Sequence, residues 1–356
     1  MAIDQKLFGK TKDGKDVSVY TITNSSGASV SVINFGGIIT SLKMPDAQGR
    51  FDDIVLGYDS IEPYFTNNEF FGAAIGRSAN RIAGASFTLD GVRVSVPVNE
   101  NGNNLHTDFD HGFHKVLWSA EPDEKNNAVA LSYTSPDGEN GFPGTLSIKI
   151  TYALSDKNEL SLHYEGVSDK KTLINCTNHT YFNLAGLDAA SGHEPAHIER
   201  QYLKLNASRY NPVHPGAIPT GECAPVKGTV FDFTDFMKIG DHIGDDEEQL
   251  TLVKGYDHNF CVDEPASDKP YAVVEDRESG RRMEVFSDLP GIQFYAGNCI
   301  REGITGKGGQ PYGPRTALCL ETQFYPNSVN EPAFESPVFD AGKNYDTTTI
   351  YKFSTI

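Results

Sequence analysis

The sequence predicts an all-β protein, a large antiparallel β-sandwich, and three observations carry that prediction. Apolar residues recur at every second position over long stretches, helical spacing is nearly absent, and 34 glycines and 19 prolines punctuate the chain throughout. A period-two strand has one apolar and one polar face, as half-buried antiparallel strands do. A helix would instead need apolar residues three and four apart.

The elements follow in order. Short helical turns are expected at residues 59–65 and 232–239. In residues 86–98, SFTLDGVRVSVPV, Phe87 and Leu89 precede Asp90-Gly91, and Val92, Val94, Val96 and Val98 follow. Asp-Gly accepts the positive φ angles of a type I′ turn, which marks a hairpin with an apolar face. Leu146, Ile148, Ile150, Tyr152 and Leu154 alternate, SDKNE turns, and Leu160, Leu162 and Tyr164 alternate again. A third hairpin runs from Val273-Val274 through Glu278-Ser279-Gly280 to Met283 and Val285. No linker composition and no fixed-period repeat divides the chain, so residues 1–356 are expected to form one domain.

Composition narrows the function. The hydrophobic share is 38% and the charged share 22%, which suits a folded globular chain. A net charge of −18 repels phosphate backbones and anionic lipids, so no nucleic acid and no membrane partner is expected. A neutral small molecule meets no such barrier. Cys176, Cys223, Cys261, Cys299 and Cys319 are odd in number and widely spaced, against a disulfide framework or a zinc knuckle. They are expected to be small buried hydrophobes in a reducing compartment. No apolar run is long enough to span a bilayer, and the opening MAIDQKLFGKTKDGKD lacks a signal-peptide core. The expected location is cytoplasmic, unless a leader peptide has been removed.

Four segments set titratable residues among glycines, prolines and aromatics: GRSANRIAG (76–84), NGNNLHTDFDHGFHKVLW (101–118), NCTNHTYFNLAG (175–186) and LCLETQFYPNSVN (318–330). KGYDHNFCV (254–262) and LPGIQFYAGN (289–298) supplement them. In this order the blocks resemble those of the aldose 1-epimerase (galactose mutarotase) family, and the resemblance covers nearly the whole chain. It implies a β-supersandwich with an open cleft for one sugar substrate, and no cofactor. It also implies that Glu321 is the general base and His179 the general acid. Asn80, Arg81, His106, Asp257 and Gln293 are implied to bind the sugar. The family usually has two glycines after the histidine of the LH block, where this chain has Thr107-Asp108. Side chains there are expected to narrow or re-aim the rim of the cleft.

The chemistry asks for these residue types. Opening a cyclic hemiacetal takes a proton from the anomeric hydroxyl and gives one to the ring oxygen, and reclosure reverses both transfers. A carboxylate base and an imidazolium acid suffice, each typically worth about 10²–10⁴-fold. Neither a metal nor a redox cofactor is needed. His106, Asp108, Asp110, His111 and His114 invite a metal reading, but they alternate with Thr, Phe and Gly in a loop-like stretch, and no metal is expected.

Each residue also has a plainer reading. Glu321 lies among Leu318, Cys319, Leu320 and Phe324, where an unpaired carboxylate would be costly. His179 reads equally as a hydrogen-bonded core histidine, Arg81 as one half of an ion pair, and Asp257 as a turn residue. Rival functions are a non-catalytic carbohydrate-binding sandwich, a hexose-6-phosphate 1-epimerase, and a glycoside hydrolase using Asp257 and Glu321. The sugar phosphate would call for an extra basic cluster, which the blocks lack. A monomer is expected, with a dimer as the alternative.

Overall fold

The computed structural model of the chain describes residues 2–187 and 195–356. Its largest sheet has nine strands. In spatial order they are Ser119–Asp123, Ala128–Ser135, Leu146–Leu154, Glu159–Ser168, Asn344–Thr355, Arg281–Ser287, Ala272–Asp276, Tyr202–Leu205 and Met237–Lys238. Every ladder in it is antiparallel. The period-two reading holds at its centre, where Leu146, Ile148, Ile150, Tyr152 and Leu154 are buried, as are Leu160, Leu162 and Tyr164 across the ladder. Burying each such aliphatic side chain contributes about 1.5–3 kcal/mol.

A second sheet lies against this one. It orders Ala224–Pro225, Arg209–Tyr210, Asp257–Cys261, Gly291–Tyr295 and Cys319–Gln323. The two sheets meet along the long strand Asn344–Thr355, where Tyr351 Oη donates to the Leu320 carbonyl at 3.0 Å and the Thr322 and Thr349 hydroxyls lie 2.5 Å apart. Because successive side chains alternate across a strand, Leu320 and Thr322 pointing inward turns Cys319, Glu321 and Gln323 to the opposite face. A third sheet, five strands from Ala2–Lys10 to Phe51–Asp53 in sequential order, completes the N-terminal side.

One expectation is borne out in part and another needs correction. The hairpin at Asp90-Gly91 forms with φ of +48° and +81°, between Ser86–Leu89 and Val92–Ser95. It forms its own two-stranded sheet, whose expected apolar face is present, with Phe87, Leu89, Val94 and Val96 packed among Ile82, Phe142 and Leu173, while Val92 and Val98 are 66% and 67% exposed. In residues 232–239 only Ile239 is helical, as the first residue of the 3₁₀ turn Ile239–Asp241, and Met237–Lys238 is a strand. The α-helix among the described residues is Glu248–Val253, capped by the Glu247 carboxylate, which accepts the Leu250 N–H at 3.0 Å. Six residues are too few to give a readable helical period. The turn at residues 59–65 is borne out as the 3₁₀ turn Glu62–Phe65. No helix among the described residues is long and apolar enough to cross a membrane.

Candidate active site

The second sheet carries acidic and amide side chains at positions its strands bury. Antiparallel register sets Gln293 opposite Glu321 on one side and Asn259 on the other, and sets Asp257 opposite Tyr295. Two short ladders bring in the rest. Thr177–His179 pairs with Ala73–Ile75, which fixes His179 beside Ala73. Arg81–Ile82 pairs with Asn104–Leu105, which sets Arg81 opposite Leu105 and next to His106.

These elements surround a cavity of about 400 Å³, within the range of small-molecule sites. Asn80, Arg81, His106, His179, Asp257 and Glu321 all line it. Gln293 does not; it stands behind the wall, where its amide donates to Asp257 Oδ1 at 2.7 Å.

Backbone conformation at the cavity is unusual. Asn80, His106 and Phe70 adopt φ of +54°, +50° and +59°. Asn and His tolerate the left-handed region better than most residues, but for Phe it is an outlier of the kind that gathers at functional sites. Asn80 and His106 hold each other: the His106 N–H donates to the Asn80 carbonyl at 3.0 Å, and the Asn80 N–H donates to His106 Nδ1 at 3.1 Å. An amide N–H can only donate, so the neutral His106 ring carries its proton on Nε2.

The charges form a connected set. Glu100 grips Arg81 with both carboxylate oxygens, at 2.6 Å to Nε and 2.9 Å to Nη2, while Arg81 Nη1 lies 3.9 Å from Asp257 Oδ2. Burial works against the Arg81 charge, yet Asp257, Glu100 and Glu321 together raise its pKa. Burial raises Asp257, and Arg81 and Gln293 pull it partly back. At the rim Arg301 donates to Glu69 Oε1 at 2.5 Å.

At the floor His179 Nε2 and Glu321 Oε1 are 3.7 Å apart, each 5% exposed or less. Burial, with the Asp257 charge added, raises Glu321 well above the carboxylate range. Burial drives His179 down to about 3, against a rise from its own backbone carbonyl and with a further push from Arg81. Both shifts favour the uncharged forms, so the resting imidazole is neutral, where the sequence had suggested an imidazolium. Glu321 Oε2 is buried without a hydrogen-bond partner among the described residues. The His179 ring packs against Tyr181 (centroids 5.0 Å apart, tilted) and stacks with Phe70 (5.7 Å).

The metal question has a structural answer in the donor set. His106, His179 and Glu321 offer ligand atoms within 4.8 Å of one another. The Asn80 N–H occupies His106 Nδ1 and so keeps a proton on Nε2, which removes the cavity-facing nitrogen as a ligand. The loop residues grouped by the sequence are dispersed. His111 is at the surface on Asp108, and His114 is buried with Nε2 on the Phe109 carbonyl.

Thr107-Asp108 does not reshape the cleft rim, contrary to expectation. Neither residue lines the cavity. Thr107 has φ of +72° and turns its hydroxyl away, accepting the Ser78 N–H at 2.9 Å. Asp108 Oδ1 accepts the N–H groups of Asp110 and His111, both at 2.8 Å, closing its own loop. Nor are all the cysteines buried: Cys223 is half-buried, and Cys299 is exposed on the cavity rim.

Sequence reasoning missed Glu69, Phe70, Glu100, Phe109, Tyr181, Tyr295 and Arg301 as lining residues. Tyr181 and Tyr295 lie inside the quoted blocks and Glu100 borders one, so adjacency was the available signal. Glu69 and Arg301 are 232 positions apart, and nothing local links them.

The aldose 1-epimerase family model matches residues 18–352. The chain is 39% identical over 354 residues to galactose mutarotase of Rattus norvegicus, covering 99% of each chain. It is 34% identical over 344 residues to aldose 1-epimerase of Escherichia coli K12, covering 96% of each. Among solved structures, a galactose 1-epimerase from Lactobacillus acidophilus superposes with a TM-score of 0.85 at 27% identity, over 100% of this chain and 99% of that one. A GalM/aldose epimerase homologue from C. elegans gives 0.86 at 26% identity, over 96% and 99%. The chain belongs to the aldose 1-epimerase family.

Proposed function

We propose that the cavity takes one free aldohexose, such as galactose or glucose, and that Glu321 and His179 interconvert its α and β anomers. Glu321 accepts the proton of the anomeric hydroxyl while His179 Nε2 delivers one to the ring oxygen. The C1–O5 bond breaks, the aldehyde turns about C1–C2, and it recloses on either face with both transfers reversed. One observation carries this reading: an acid–base pair 3.7 Å apart on the floor of a sugar-sized cavity, with one buried carboxylate oxygen left unpaired. A sugar hydroxyl gives that oxygen the donor it lacks, which offsets the cost of burying it.

The two side chains share one proton. In the resting site it sits on Glu321, and the reactive form is the tautomer with that proton moved to His179. The preference for uncharged forms makes the imidazolium a strong acid and the carboxylate a strong base once the tautomer forms. Asn80, Arg81, His106 and Asp257 hold the sugar hydroxyls, with His106 as a donor through Nε2–H. Gln293 contributes through Asp257, whose carboxylate it orients.

A neutral sugar is favoured over a sugar phosphate because each arginine lining the cavity is already matched by a carboxylate, Arg81 by Glu100 and Arg301 by Glu69. Asp257 suits sugar binding better than hydrolysis, since Gln293 and Arg81 both engage it. In this reading residues 1–356 act as one catalytic domain, a cytoplasmic monomer. Polarimetry of freshly dissolved α-D-glucose and α-D-galactose tests the function, with a methyl glycoside as control. Both free sugars should reach equilibrium rotation faster with enzyme, and the glycoside should be untouched. Cleavage of the glycoside, or no acceleration for any free aldose, would refute it.

A further inference from the structure

The strand that carries Glu321 also reaches the far side of the His179 ring. Cys319 and Glu321 are two positions apart on Cys319–Gln323, so both side chains project from the same face. Glu321 stands by Nε2, and Cys319 Sγ lies 3.4 Å from Nδ1. The imidazole is thus bracketed by two side chains of one strand while Phe70 and Tyr181 pack against its ring.

We infer that Cys319 is a positioning residue for proton transfer: its sulfur accepts the Nδ1–H of His179 and so leaves Nε2 as the atom that gains and loses the proton. The inference rests on the reading of His179 as the acid of the pair. An imidazole that shuttles a proton through Nε2 must keep the other proton on Nδ1 throughout. If Nδ1 were bare, Nε2–H would be the ring's only proton, and giving it up would leave an imidazolate. The His179 carbonyl oxygen takes the Gly72 N–H at 3.1 Å and keeps a second lone pair, but Cys319 Sγ is the side-chain atom within hydrogen-bond distance of Nδ1 among the described residues.

A thiol also suits the task by being weak. In a Ser-His-Asp arrangement a carboxylate beside Nδ1 stabilises the imidazolium. Here the partner is an uncharged sulfur, fully buried and held protonated by that burial, with the Glu321 and Asp257 carboxylates adding to the effect when ionised. It fixes the ring's orientation and tautomer without making the imidazolium a poorer acid. The other charged or titratable groups facing the ring are Arg81, His106, His114, Tyr181 and Tyr295. The two cationic-capable histidines and the arginine add no stabilisation to a positive charge.

The test combines ring ¹⁵N NMR of histidine-labelled enzyme with steady-state kinetics, the His179 signals being assigned by their loss in His179→Asn. At pH 7.5 wild-type His179 should carry its proton on Nδ1 with Nε2 bare. Cys319→Ala should shift the ring toward the Nε2–H tautomer and lower kcat about tenfold with KM within about twofold. Cys319→Ser, which restores an acceptor, should recover the Nδ1–H signature and most of kcat. An Nε2–H tautomer in the wild type, an unchanged tautomer in Cys319→Ala, or a shifted tautomer with full kcat would each overturn the inference. Full activity in His179→Asn would instead remove the acid–base reading beneath it, whatever the tautomer proves to be.

Discussion

The pH dependence of catalysis distinguishes a buried, coupled pair from two independent groups. With ordinary values of 4.5 for Glu321 and 6.5 for His179, the singly protonated pair would dominate only between those limits. The rate would then fall toward tenfold per unit below pH 4.5, leaving about one quarter at pH 4.0. The structure moves the acid limit outward. His179 is protonated in addition to Glu321 only near pH 3, and Glu321 loses its proton only well above 4.5. The ratio of the two one-proton tautomers does not vary with pH, so the rate follows the population of the pair. On lowering the pH from 5.5 to 4.0, kcat/KM should therefore fall by less than about 1.5-fold, instead of about three- to fourfold. Initial rates of α-D-glucose mutarotation, corrected for the buffer-catalysed reaction at each pH, measure this directly. An acid limb near 4.5 would mean that the pair titrates as exposed groups do, and the argument from burial would be wrong.

Three further outcomes are expected. His258 is buried against Tyr210 and Phe231, and burial takes it to about 3; the unfolded chain protonates it below 6.5 and the fold does not, so its share of stability is present above pH 6.5 and lost as pH falls toward 3, at about 1.4 kcal/mol per unit. Urea unfolding of His258→Gln at pH 7.5 and 5.0 should show a pH difference about 2 kcal/mol smaller than in the wild type, and an equal difference would count against it. Glu100→Gln should raise KM about three- to tenfold with a smaller effect on kcat, because Arg81 is then drawn toward Asp257; an unchanged KM would mean that Arg81 keeps its place unaided. Thr107→Ala, which keeps the positive φ but loses the Ser78 contacts, should destabilise by about 1–3 kcal/mol, and Thr107→Gly should cost less because it relieves the backbone; the reverse order in thermal unfolding would contradict that account.

How much of this was legible in the sequence depends on burial. Strands of the nine-stranded sheet face the core on one side, so Leu146–Leu154 and Glu159–Ser168 alternate and could be read as a hairpin. The strands of the site sheet are buried on both faces: Cys319–Gln323 is covered throughout and Asp257–Cys261 nearly so, which erases the period. They announced themselves instead through misplaced polarity, Glu321 among leucines and Gln293 between Ile292 and Phe294. Residues that act through another side chain left no such mark. Cys319 reads as a core hydrophobe until Nδ1 of His179 is seen beside it, and the Glu69–Arg301 pair forms only when distant loops meet. Thr107 is the instructive failure: the substitution was visible in the sequence, but the direction of its side chain depended on Ser78, 29 positions away.

The central claim is that Glu321 and His179 act as one proton-transfer unit, and a double-variant cycle in polarimetry tests it most directly. Glu321→Gln keeps the shape of the side chain but cannot accept a proton, so kcat should fall about 10²–10⁴-fold with sugar binding largely kept. His179→Asn should lose a comparable factor, and the double variant should lose far less than the product of the two. Near-normal mutarotation by Glu321→Gln, in preparations free of host epimerase, would contradict the account.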